Sequence, residues 1–102
     1  MRADVQNLFI SIHMLHHAHS GQSLTIRDMQ PQLEEYGYQL GEREVKQQLE
    51  HLTQENFLTL HGDEYSITGA GIEEFKETQN RLKTLCGIVL QPLKQKESSS
   101  NT

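Results

Sequence analysis

Between Asp4 and Ala18 the apolar residues Val5, Leu8, Phe9, Ile12 and Leu15 recur at steps of three and four, which predicts a helix with a broad buried face. Ser20-Gly21 ends it. Ser23 to Ile26 is long enough only for a brief strand, after which Thr25-Ile26-Arg27-Asp28 has the Thr-x-x-Asp form of a capping signal. The second helix is expected to start near Thr25, turn Ile26, Met29 and Leu33 inward, carry Pro31 in its early turns and stop at Gly37. A third helix over 41–56 has the clearest division of faces. Val45, Leu49 and Leu52 form one apolar stripe, and Arg43, Lys46, Gln47, Gln48, Glu50 and His51 point elsewhere.

After Asn56 the period changes to two. Phe57 to Leu60 runs into His61-Gly62-Asp63-Glu64 and returns through Tyr65, Ser66 and Ile67, which predicts a hairpin with its turn at Gly62-Asp63. Thr68 is placed to cap a last helix from Gly71, in which Ile72, Phe75, Gln79, Leu82, Cys86 and Val89 form a heptad-like seam. A seam of that length needs a cover, either the first helix of its own chain or the same helix of a second copy. The second is the expectation adopted, with Ile72, Phe75, Leu82, Cys86 and Val89 as the dimerisation residues. Gly87 and Pro92 should weaken the helix, and 94–102, reading KQKESSSNT, is expected to be a solvated tail.

Composition narrows the function classes. The chain has 102 residues, 34% of them hydrophobic, with no Trp and a net charge of −5, so it has one modest core and no broadly basic surface. Cys86 is the single cysteine, which excludes an intramolecular disulfide and a thiolate metal cage. No run of apolar residues is long enough for a membrane span and the N-terminus does not read as a signal peptide, so a cytoplasmic protein is expected. His13, His16, His17 and His19 invite a metal reading, but no neighbouring Cys or carboxylate completes a ligand set. Imidazoles facing solvent or a partner, with no metal or other cofactor, are the expectation. With no phosphate-cradling glycine loop, nucleophile elbow or zinc-protease motif, no enzymatic activity is expected.

The order helix, short link, helix, helix, hairpin, helix resembles the winged helix-turn-helix transcription regulators, especially the PadR-like and MarR-like groups. The resemblance rests on Val45-Lys46-Gln47-Gln48-Leu49-Glu50-His51-Leu52 followed by Asn56-Phe57-Leu58, and on Tyr65-Ser66-Ile67-Thr68-Gly69-Ala70-Gly71. It covers the chain from about Leu8 to Leu82. It implies a mainly α fold with a small β-hairpin wing over 1–70, a C-terminal dimerisation helix over 71–93, and a homodimer that reads double-stranded DNA with the third helix. Arg43, Lys46, Gln47 and His51 would then meet the DNA from that helix and Arg27 a phosphate, because Arg and Gln side chains address guanine and adenine edges bidentately. Departures from the pattern are also legible. The wing turn is short and acidic where PadR-like wings are basic, and Arg43 and Lys46 stand against Glu42, Glu44, Glu50 and Glu55. These favour the alternative, a winged helix serving as a protein-interaction module that does not bind DNA.

Overall fold

A computed structural model describes the backbone of residues 3–22 and 24–100 and the side chains of 4–22 and 24–90. Four helices and one antiparallel hairpin follow in the order α1 (Ala3–His19), α2 (Ile26–Glu35), α3 (Glu42–Gln54), β1 (Leu58–His61), β2 (Glu64–Ile67) and α4 (Gly69–Ser100). The fold is mainly helical with a small two-stranded sheet, as the change of period after Asn56 predicts.

The core is built from the stripes of α2 and α3, with Met29, Leu33, Val45, Leu49 and Leu52 buried together with Leu24, Leu58, Tyr65 and Phe75. On α1 the expected face is corrected. The buried residues are Ile10, Met14, Leu15 and Ala18, whereas Val5, Leu8 and Phe9 are exposed and Ile12 is half-buried. The reason is that α1 is apolar on two sides. Ile10, Met14 and Ala18 form a second stripe at steps of four, and periodicity alone cannot say which stripe meets the core.

Thr25 caps α2 as its sequence suggests, its hydroxyl accepting a hydrogen bond from the Asp28 amide at 3.0 Å. Pro31 falls at the sixth helical position, in the second turn, as a start near Thr25 places it. The helix tolerates it because both Pro31 and Arg27, whose carbonyl loses its amide partner, are exposed to water. Leu24 forms a single antiparallel bridge to Tyr65, whose amide donates to the Leu24 carbonyl at 2.8 Å, so the expected brief strand shrinks to one pairing on the edge of β2. Ser23 lies outside the described residues.

The hairpin pairs Leu58 with Ile67 and His61 with Glu64 around the Gly62-Asp63 turn. Gly62 holds φ of 66°, the left-handed conformation that the first position of a tight two-residue turn requires. Thr68 joins three elements. Its hydroxyl donates to the Asn56 carbonyl at 2.6 Å and accepts from the Gly71 amide at 3.0 Å, while its own amide donates to the Phe57 carbonyl at 3.0 Å. The end of α3, the base of the hairpin and the start of α4 are thereby tied at one residue.

From Gly69 the α4 backbone stays helical to Ser100, through Gly87 and into the expected tail at 94. Extending an existing helix adds a hydrogen bond for each residue fixed, so isolated weak formers need not stop it. The remainder of the expected tail, and every side chain beyond Leu90, lies outside the described residues.

Candidate nucleic-acid interface

The packed stripe of α3 fixes what its opposite side presents. With Val45, Leu49 and Leu52 buried, Arg43, Lys46, Gln47, Glu50, His51 and Gln54 are all exposed, and Arg43, Gln47, Glu50 and Gln54 recur at three and four along the outermost line. Gln48 is different. It is half-buried and accepts a hydrogen bond from the Ser11 hydroxyl of α1 at 3.3 Å, so it braces α3 against α1.

The carboxylates that outnumber the cations along this helix are not all on that line. Glu44 turns back to accept the Gly41 amide at 2.6 Å, and Glu55 stands 3.9 Å from the His51 imidazole one turn earlier. Glu42 faces the hairpin tip. What remains outward is Arg43 and Lys46 against Glu50, and neither cation makes an ion pair among the described residues. Glu50 is itself on the hairpin side, close enough to Tyr65 that burial first and then its carboxylate hold the phenol above its usual pKa.

Two recesses flank the helix. One, between α1 and α3, is lined by Asp4, Asn7, Leu8, Ser11, Gln47, Gln48 and His51, so Gln47 and His51 face α1 while Lys46 lies toward the hairpin side. The other lies between the starts of α2 and α3 and the hairpin tip. Arg27 is there, on an exposed first turn, but shares the cleft with Asp28, Glu42, Asp63 and Glu64. The five residues expected at DNA therefore divide. Arg43, Lys46 and Gln47 share one surface, His51 sits at its α1 edge beside Glu55, and Arg27 stands apart in acidic surroundings. Glu50, which the spacing already puts on the polar side, Gln54 and Asn7 border the same surface. The first two follow from extending the Arg43-Gln47 line by helical steps, whereas Asn7 depends on how α1 docks.

Along α1 the histidines separate. His13 stacks on Tyr36 with centroids 4.5 Å apart and meets Tyr38 edge-on, which pins the link between α2 and α3. His16 and His19 lie 5.8 and 5.1 Å from the Phe75 ring. Among the described residues no three His, Cys, Asp or Glu side chains gather as a metal-holding group. Burial, and secondarily the neighbouring His16 charge, lowers the His13 pKa below its usual 6.5. The folded protein thus resists a protonation that the unfolded chain accepts. His13 contributes stability above the unfolded pKa, and this is lost as pH falls through about 6.5 toward the lower folded value. Between about pH 7.5 and pH 5 the melting temperature of His13→Phe, which keeps a stacking ring, should fall less than that of the native protein. Equal falls would exclude His13 as a source of the acid sensitivity.

Of the residues expected at a dimer interface, Phe75 is corrected: at 4% exposure it belongs to the core of its own chain, against α1. Ile72 and Leu82 are half-buried, and Cys86 and Val89 are exposed. Leu85, Ile88 and Leu90 are exposed as well and were not among the expected residues. No helix among the described residues is long and apolar enough to cross a membrane. No protein-family model, no curated protein and no solved structure matches the chain.

Proposed function

We propose that the protein is a small DNA-binding transcription regulator of the winged-helix type, dimeric through α4, with α3 as the helix that enters the major groove. The observation that carries the reading is the outward line of α3. Arg43, Gln47 and Gln54 on that line, with Lys46 beside it and Glu50 among them, are exposed on a helix whose other side is packed, while Glu44 turns back into a cap. Such a surface carries side chains able to address base edges bidentately at helix positions set by the packed side, which is what base-edge recognition needs. The hairpin would lie beside the duplex as a short wing. Its acidic tip supplies no phosphate contact, so affinity would rest on α3 and on the doubling of sites in a dimer.

A second reading, a winged-helix module that docks on a protein, is favoured by the cleft of Asp28, Glu42, Asp63 and Glu64, which would suit a basic partner segment. Selection from random duplex DNA separates the two. The regulator should enrich an inverted repeat with half-sites about one helical turn apart, with binding that weakens steeply as salt rises. If no sequence is enriched and a protein partner is retained at salt that strips nucleic acid, the docking module is the correct reading.

A further inference from the structure

Two apolar stripes in this chain have the same spacing and are left mostly uncovered by the described residues. On α1, Val5, Leu8, Phe9 and Ile12 stand at steps of three, one and three; on α4, Leu82, Leu85, Cys86 and Val89 repeat those steps. Both begin where α1 and α4 already touch. His16 and His19 meet Phe75, Ile12 is one turn before His16 on the same side of α1, and Leu82 is two turns beyond Phe75 on the same side of α4. Ile12 and Leu82 are half-buried near this contact, but farther along the stripes separate, with Leu8 58% exposed, Leu85 52% and Val89 55%. Within one chain, then, α4 does not lie along the N-terminal half of α1. At 32 residues α4 is about 48 Å long, against about 25 Å for the 17 of α1, so it runs well past α1.

We infer that the α1 stripe of each copy is covered by the α4 stripe of a second copy, so that the pair is held by two equivalent α1 to α4 contacts rather than by α4 against α4 alone. This rests on the dimer reading above and adds the occupant of the α1 face. Three observations favour a second copy over an unrelated partner. Among the described residues, seven of the nine large hydrophobic residues that are exposed, Val5, Leu8, Phe9, Leu85, Ile88, Val89 and Leu90, lie on these two helices. Each stripe spans two turns at matching steps, so each supplies knobs for the gaps of the other. A two-fold arrangement uses both stripes of both copies and leaves neither over, closing the assembly at two. With roughly half of each side chain available, the pair would cover on the order of 1,200 Å², the lower end of the range for stable specific interfaces.

The test uses the full-length chain and two exposed positions, Leu8→Lys on α1 and Val89→Glu on α4. Light scattering should report the mass of two chains for the native protein and of one chain for either variant alone, with circular dichroism showing unchanged helix content. Mixing the two variants should restore a one-to-one dimer. That heterodimer has one contact wholly native, and the other holds both introduced charges, a lysine and a glutamate of opposite sign. A Leu8→Lys protein that stays dimeric while Val89→Glu dissociates would mean α4 pairs with α4, sinking this inference and sparing the dimer. A monomeric native protein would sink both, and two monomeric variants that do not recombine would overturn the reciprocal contact.

Discussion

Replacing Arg43 and Lys46 together with glutamate should lower affinity for the selected duplex by at least about 30-fold, because a good bidentate base contact is worth about 1–3 kcal/mol and two are removed. The exchange also turns two attractive charges on the exposed side of α3 into repulsive ones, beside Glu50. Folding should be indifferent. Both side chains are exposed, Glu is as good a helix former as either cation, and a carboxylate at position 43 lies in the first turn, where the helix dipole favours it. Fluorescence anisotropy on a labelled duplex would be read beside the melting temperature. Binding within twofold of the native protein, with folding intact, would mean that another surface holds the DNA.

The second large effect is on stability, from a single methyl group. A Cβ at Gly71 would lie 2.2 Å from the Phe57 carbonyl oxygen and 2.7 Å from Ile67 Cγ1. The carbonyl cannot retreat cheaply, since it also accepts the Thr68 amide at 3.0 Å. Overpacking of this kind costs about 3 kcal/mol or more, and the better helix propensity of Ala offsets about 1 kcal/mol. Gly71→Ala should therefore lose about 2 kcal/mol, lowering the melting temperature by roughly 10 °C for a domain of this size. Gly87→Ala is the matched control. Nothing lies within 4 Å of its added methyl, and it should gain up to about 1 kcal/mol. Urea unfolding of the two variants checks the contrast, and a Gly71→Ala protein as stable as the native one would contradict the close approach.

Much of this arrangement is legible in residue spacing. The stripe of Val45, Leu49 and Leu52, the turn at Gly62-Asp63 and the caps at Thr25 and Thr68 are local features, and local rules find them. Features that depend on which of two surfaces wins are not legible. In α1 both the Val5-Leu8-Phe9-Ile12 stripe and the Ile10-Met14-Ala18 stripe satisfy helical periodicity, and only docking decides between them. Phe75 fits a seam for a partner as well as it fits a core, until His16 and His19 are seen against it. For the candidate interface, a count of charges along α3 misleads because it cannot know that Glu44 folds back onto the Gly41 amide. Arg27 fails for the converse reason. Its position at a helix start suits a phosphate, but Asp63 and Glu64 arrive from a distant part of the chain.

The Tyr65 amide is engaged by Leu24, and the far end of the same strand runs into Thr68, which is bonded to Asn56 and Phe57. The flap is consequently stitched down along one edge and at its root. Its tip travels with the body of the molecule rather than swinging as a hinged arm, so any ligand that touches Gly62 and Asp63 meets a contour set in advance and loses little entropy in ordering it.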